Sequence, residues 1–239
     1  MIGGTVDWHH RRGRRMTLTV SVNEDSVEIP FRIQNSLADF REWAGDNDLP
    51  EKSKVFFHRG EVWVYVGKEQ LYTQILLKTE ITSVLYQLAK RAGIGDLFSD
   101  GALLTNETAE LSGNPDAVFV SDRSIKVGRV TRVEGKEGGF VELVGTPDMV
   151  LEVVSDKSVK KDTQTLFEAY HEAGIPEYWL VDARGLEVKF TIYKHSARTY
   201  TATRSQSGGW LKSNVFEKSF RIVRSTGAAG QPRFTLEVK

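Results

Sequence analysis

The stretch that decides the fold spans residues 145–164 and reads GTPDMVLEVVSDKSVKKDTQ. Within it, residues 149–154 are apolar except for one carboxylate, Glu152. A short apolar run bounded by turn residues is typical of a buried β-strand. Because side chains alternate along a strand, Asp148 and Glu152 are predicted to share one face, near the same end of the sheet.

A carboxylate inside an apolar strand is costly to bury unless something stabilises its charge. A divalent cation would do so, and carboxylate oxygens are the ligands that Mg²⁺ and Mn²⁺ prefer. The alternative from this strand alone is that Glu152 pairs with a buried arginine or bonds a backbone group. The residues of the strand leave both interpretations open.

Composition narrows the class of protein. The 239 residues are 40% hydrophobic and 27% charged, and the formal net charge is zero, which argues against a polycation that coats nucleic acid. The chain has no cysteine, which excludes disulfides, thiolate zinc sites and cysteine nucleophiles. No apolar run approaches the roughly 18 residues of a membrane span, so we expect a cytoplasmic protein with no membrane partner.

Local patterns predict alternating helices and strands. A short helix is expected over 36–47 with Ser36 as N-cap, and two strands should meet near Arg59 and Gly60. A long amphipathic helix should follow over 69–92 and stop at Gly93. After the strand that holds Glu152, a helix is expected over 158–173. This order predicts an α/β or α+β fold in which helices pack on a mixed β-sheet.

The domain organisation follows from these elements. Residues 1–50 are interpreted as an N-terminal extension that contains an antiparallel strand pair and a basic cluster at Arg11, Arg12, Arg14 and Arg15. Residues 51–195 are predicted to form the core, and residues 196–239 a strand-rich C-terminal extension of the same domain.

A second acid opens another apolar strand, in the segment NPDAVFV at residues 114–120. Asp116 and Glu152 could therefore lie on neighbouring strands, as oxygen ligands of Mg²⁺ often do. The alternative is that Asp116 only shapes a turn after Pro115. Lys160 and Lys161 begin the following helix and could neutralise charge on a phosphate; the alternative is a solvated lysine pair.

Several stretches together resemble the Uma-type family of restriction-endonuclease-like proteins, in the PD-(D/E)XK nuclease superfamily. They are NPDAVFV at 114–120, TPDMVLEVVS at 146–155, Asp162, and YHEAGIPEYWLVDAR at 170–184. The resemblance covers residues 61–193, over half of the chain. It implies a restriction-endonuclease-like core with a mixed sheet flanked by helices and strand-rich additions at both termini.

The resemblance also implies site residues. Asp116 and Glu152 match the metal-binding acids of the superfamily, whereas the usual lysine two positions after the second acid is replaced by Val154. A lysine from the following helix can take that role, and Lys161 is preferred over Lys160. Asp148 and Glu61 match further acids of the family and are expected to join or support the metal site.

These expectations predict a metal-dependent endonuclease that hydrolyses DNA with Mg²⁺ or Mn²⁺. Its catalytic residues are expected to be Asp116, Glu152 and either Lys161 or Lys160. A homodimer is the expected form. The first alternative is a catalytically inactive nucleic-acid-binding protein on the same fold, separated from the enzyme by cleavage in Mg²⁺. The second is an interaction protein in which the acids pair with lysines, separated by metal binding.

Overall fold

The computed structural model describes residues 5–8, 17–22, 25–45, 53–65, 68–136 and 138–239. Its α-helices are α1 Leu37–Ala44, α2 Leu77–Ala92, α3 Asp122–Lys126 and α4 Leu166–Glu172. A 3₁₀ turn, Phe31–Gln34, precedes α1, and π-helical turns, Leu71–Leu76 and Lys161–Thr165, lead into α2 and α4.

The strands are β1 Thr5–Trp8, β2 Thr17–Val22, β3 Asp25–Pro30, β4 Lys54–His58, β5 Glu61–Tyr65, β6 Gly95–Ser99, β7 Leu103–Asn106, β8 Leu111–Gly113, β9 Ala117–Ser121, β10 Val130–Glu134, β11 Phe140–Gly145, β12 Met149–Val153, β13 Glu177–Asp182, β14 Lys189–Lys194, β15 Thr201–Ala202, β16 Leu211–Lys212, β17 Ser219–Thr226 and β18 Pro232–Val238.

Two six-stranded sheets build the centre of the molecule. The first has the order β10-β11-β7-β8-β4-β5 and the second β15-β14-β13-β12-β9-β6. Both are mixed, since β11 runs parallel to β7 and β12 runs parallel to β13 while their other pairs are antiparallel. The predicted fold class, a mixed sheet flanked by helices, is confirmed. The second sheet of this size was not predicted.

The hydrophobic core has a layer on each side of β12. Val150 and Val154 belong to the layer between the two sheets, together with residues of α4. Met149, Leu151 and Val153 belong to the opposite layer, which contains the buried stripe of α2 and the C-terminal sheet β16-β17-β18. The alternation predicted for the strand is therefore confirmed, and Glu152 lies in the layer beneath α4.

The long helix differs from its predicted pattern at its start. Ile81 and Leu85 are buried in α2 as expected, and Gly93 ends the helix with a left-handed φ of 60°. Leu71 and Ile75, in the π-helical turn that precedes α2, are 67% and 42% exposed, although the predicted amphipathic helix included both. Ile75 and Ile81 are six positions apart, which is about 240° around a regular α-helix, so the two would not share a face even if the α-helix began earlier.

The remaining elements agree with the sequence in outline. Ser36 caps α1 by accepting a hydrogen bond from the Asp39 backbone N–H at 3.1 Å, and β4 and β5 pair across the Arg59–Gly60 turn. The strand pair near the N-terminus is β2 and β3. Residues 46–47 of the predicted helix and the arginine cluster at 11–15 lie outside the described residues. Among the residues that the structure describes, no helix is long and apolar enough to cross a membrane.

Candidate active site

The two principal acids lie opposite each other on neighbouring strands. In the antiparallel pair of β9 and β12, Ala117 is opposite Leu151. The next position outward places Asp116 opposite Glu152, and directly opposed side chains share a face with Cβ atoms about 5 Å apart. Asp116 is 5% exposed and Glu152 is 3% exposed. The structure thus brings together the two acids that the sequence singled out.

Asp116 is a fully partnered carboxylate. Its Oδ2 accepts a hydrogen bond from the Val153 backbone N–H at 2.6 Å, and its Oδ1 accepts one from Lys54. The Nζ of Lys78 lies 3.5 Å from the same Oδ1. Burial disfavours the charge of Asp116, but the two lysines outweigh burial and hold the pKa of Asp116 below its ordinary value. Asp116 is therefore ionised at neutral pH.

The negative charge of Glu152 is less well balanced by neighbouring groups than that of Asp116. Its Oε1 accepts a hydrogen bond from the Tyr170 hydroxyl at 2.7 Å, and its Oε2 lies 3.8 Å from the Nζ of Lys161. Burial, aided by the negative charges of Asp116 and Asp162, outweighs Lys161 and raises the pKa of Glu152 to about 8. An additional cation at this position would favour the ionised carboxylate.

A π-helical turn places the lysine of the site. Within Lys161–Thr165, Lys161 and Asp162 are both buried, and the Nζ of Lys161 lies 2.6 Å from Asp162 Oδ1. The ammonium also lies 4.1 Å from the centroid of the Phe56 ring. Burial opposes its charge, but Glu152 and Asp162 raise the pKa of Lys161, so that this side chain remains an ammonium. The neighbouring Lys160 is exposed.

Two predicted acids lie elsewhere. The Oδ2 of Asp148 accepts hydrogen bonds from the Ser121 backbone N–H and the Ser124 hydroxyl, both at 2.7 Å, and its Oδ1 pairs with Arg129. Glu61 is exposed at the start of β5, where it is paired with His58 in the register of the hairpin. Neither belongs to the cluster around Asp116 and Glu152.

Three partners of the acids were missed by the sequence reasoning: Lys54, Lys78 and Tyr170. Only Lys78 carries a sequence signal, because it interrupts the buried side of α2 between Leu77 and Ile81. Such a lysine must pair with a buried acid or extend to the surface. Lys54 and Tyr170 could be assigned only after β4 and α4 had been placed in space.

The donor chemistry fits a hard divalent cation. Two carboxylates on facing positions of adjacent strands supply oxygen ligands, and Mg²⁺ sites commonly use one or two carboxylates with water and phosphate. The raised pKa of Glu152 indicates that the protein's own cations do not fully balance this acid. Among the described residues, no group of three or more histidine or acid side chains is arranged as a metal site.

The raised pKa of Glu152 makes stability depend on pH. Between its ordinary pKa of 4.5 and about 8, the carboxyl keeps its proton in the folded chain but loses it in the unfolded chain. The free energy of unfolding should therefore fall as pH rises through this window. Compared with Glu152→Gln, wild type should lose on the order of a few kcal/mol between about pH 5 and pH 8.5, measured by urea unfolding at each pH. Parallel pH profiles for the two proteins would contradict this.

Asp148 should matter for stability and not for metal. Asp148→Asn removes the charge that pairs with Arg129 and weakens the contacts to Ser121 and Ser124, which should cost about 1–3 kcal/mol of unfolding free energy. Along an extended strand, four residues place Asp148 about 13 Å from Glu152, so Mn²⁺ affinity should change less than about twofold. Urea unfolding and calorimetry test the two parts, and a tenfold loss of Mn²⁺ affinity would assign Asp148 to the metal site.

Comparisons with known proteins identify the family of the chain and a crystal structure of similar fold. Residues 37–224 match the model of the family described as "Uma2: Putative restriction endonuclease". No curated protein matches the chain. A crystal structure titled as a putative nuclease belonging to DUF820 from Anabaena variabilis ATCC 29413 is similar in fold, with 16% sequence identity and a TM-score of 0.54. The similarity covers 76% of this chain and 90% of that chain.

The family match extends from α1 to β17 and therefore contains every residue of the cluster around Asp116 and Glu152. The resemblance inferred from the motifs at 114–120, 146–155 and 170–184 is thereby confirmed. Because its model matches well over half of the sequence, the chain belongs to the Uma2 family of restriction-endonuclease-like proteins.

Proposed function

We propose that the protein is a metal-dependent endonuclease that hydrolyses phosphodiester bonds of DNA. The observation that carries the proposal is the buried cross-strand pair of Asp116 and Glu152, with Lys161 beside Glu152. Membership of the restriction-endonuclease-like family supports a nucleic-acid substrate. Asp116 and Glu152 are the residues that would hold Mg²⁺ or Mn²⁺, which, when bound, supplies a Lewis acid for the phosphate and an acidified water.

The protein's own groups have separate roles in this reaction. Lys161 stays protonated, so it serves as a hydrogen-bond donor and positive charge toward the attacking water or the phosphate oxygens, and not as a general base. The Tyr170 hydroxyl fixes Oε1 of Glu152 and leaves Oε2 on the side of Lys161. Lys160, exposed one residue earlier, has no part in the proposal.

One observation favours the inactive binding protein as a second candidate. Val154 occupies the position where the superfamily has its lysine, and this side chain is 1% exposed within the core layer between the sheets. Position 154 therefore cannot supply the positive charge that the superfamily's lysine provides. The proposal depends on Lys161, which reaches Glu152 from the following helix.

Cleavage of supercoiled plasmid separates the two candidates. The enzyme should convert it to open-circular or linear DNA with Mg²⁺ or Mn²⁺, and should leave it intact with EDTA. The Asp116→Asn variant, purified identically, controls for contaminating nuclease. Plasmid that is shifted on a gel but uncut under every metal condition would favour the binding protein.

Homodimer formation and a cytoplasmic location stay predictions. Light scattering at several protein concentrations checks homodimer formation.

A further inference from the structure

Lys54 and Lys78 form a second basic group of the site, distinct from Lys161. Both contact the same oxygen, Oδ1 of Asp116, which is also an oxygen that the proposed ion would need. Lys54 begins β4 and Lys78 lies in the first turn of α2, so the two ammonium groups approach from different elements. Lys78 is 7% exposed, an environment in which a lysine is normally paired with acids.

Both lysines have a second set of partners closer to solvent. The Nζ of Lys54 lies 2.9 Å from Asp100 Oδ1, and the Nζ of Lys78 lies 2.6 Å from Glu69 Oε2 and 3.2 Å from Asp100 Oδ2. The side chains of Asp100 and Glu69 are 54% and 35% exposed, whereas that of Asp116 is 6% exposed. Each ammonium thus lies between a buried acid and acids at the rim.

We propose that Lys54 and Lys78 are phosphate-binding residues, which neutralise Asp116 in the ion-free protein and turn to the substrate phosphate when a divalent ion takes Oδ1 of Asp116. The inference rests on the proposed function. No covalent bond changes in this exchange. At Oδ1 of Asp116, one metal ion takes the place of the two ammonium groups. Asp100 and Glu69 already hold both lysines, so the lysines need no new protein partner when they leave Asp116.

Electrostatics favours the exchange only if a phosphate is nearby. A divalent ion at Asp116 repels two ammonium groups at close range, and the repulsion lowers the affinity of the ion-free protein for metal. A phosphodiester brings a negative charge whose oxygens can accept hydrogen bonds from both ammonium groups. Metal and nucleic acid should therefore bind with positive cooperativity, and the lysines should weaken metal binding alone.

The proposal predicts two opposite effects of one substitution. Lys54→Met and Lys78→Met should each bind Mn²⁺ at least about tenfold more tightly than wild type in the absence of DNA, because a competing positive charge is gone. The same variants should bind a DNA duplex more weakly in Ca²⁺. For each variant, the slope of the logarithm of the DNA-binding constant against the logarithm of salt concentration should be shallower by about one phosphate contact. A purely structural role would weaken both interactions together.

The experiment combines Mn²⁺ calorimetry without DNA and duplex binding in Ca²⁺ at several salt concentrations. Lys90→Met, an exposed lysine on the same helix as Lys78, should match wild type in both. Lys54→Arg keeps the charge and should retain the salt slope of wild type. Lys54 is the first choice for substitution, because its side chain is 23% exposed and tolerates change better than that of Lys78.

The outcomes separate this inference from the proposed function. If wild type binds Mn²⁺ and the two Met variants bind it no more tightly, the lysine proposal is overturned while the metal site stands. An unchanged salt slope in Lys54→Met overturns the phosphate role. If neither wild type nor any variant binds Mn²⁺, the proposed function and this inference fail together.

Discussion

Glu152→Ala is expected to lower the rate of Mg²⁺-dependent DNA cleavage by at least about 10³-fold, because a lost metal ligand removes several kcal/mol of transition-state stabilisation. The variant should stay folded. Burial raises the pKa of Glu152 to about 8, so the folded chain gains little from this carboxylate in the absence of an ion. Initial cleavage rates of wild type and variant measure the loss of activity, and a circular-dichroism spectrum of each protein checks that it is folded.

A matched control is Glu187→Ala, which removes an exposed acid outside the cluster and should cleave at the wild-type rate. Cleavage by Glu152→Ala within about tenfold of wild type, in protein that is free of contaminating nuclease, would remove Glu152 from the site. Loss of the folded spectrum would instead assign Glu152 a structural role through its bond with Tyr170.

The second large effect is expected for Lys161→Met. Loss of one positioned charge near the reacting phosphate should lower the cleavage rate by about 10²–10³-fold. Methionine approximates the length of the lysine stem and fills the space beside Phe56, so the packing loss is limited. Mn²⁺ affinity should stay equal or increase, since the substitution removes a positive charge 3.8 Å from Glu152.

If Lys161→Met keeps Mn²⁺ binding but cleaves DNA slowly or not at all, Lys161 acts in catalysis and the metal site is intact. A Lys161→Met protein that cleaves as fast as wild type would contradict the role given to Lys161. A variant that loses Mn²⁺ binding would place Lys161 in the support of the carboxylates, where its ion pair with Asp162 also lies. Lys90→Met serves as the lysine control here as well.

The sequence predicted the face of Glu152 but misjudged the position of Asp148. Alternation along β12 correctly separated Val150 and Val154 from Met149 and Leu151. The same argument placed Asp148 with Glu152, but sharing a face does not mean sharing an end of the strand. Each residue advances a strand by about 3.3 Å, so the two acids are too far apart to hold one ion.

The partners of the acids could not be predicted in the same way. Lys54 contacts Asp116 across 62 positions in sequence, and the pairing depends on how β4 joins β8 in the first sheet. The register of β9 against β12, which sets Asp116 opposite Glu152, likewise depends on long-range packing. The family resemblance gave Lys160 and Lys161 as the two candidates. The π-helical turn that buries Lys161 has no clear sequence pattern.

Metal binding at Asp116 and Glu152 is the central claim, and calorimetric titration of Mn²⁺ into wild type and Asp116→Asn tests it most directly. Wild type should show saturable Mn²⁺ binding, and Asp116→Asn should lose it, because the amide replaces a charged ligand that Lys54 and Lys78 keep ionised in the folded chain. Equal binding by the two proteins, or none by wild type, would contradict a metal site at this pair.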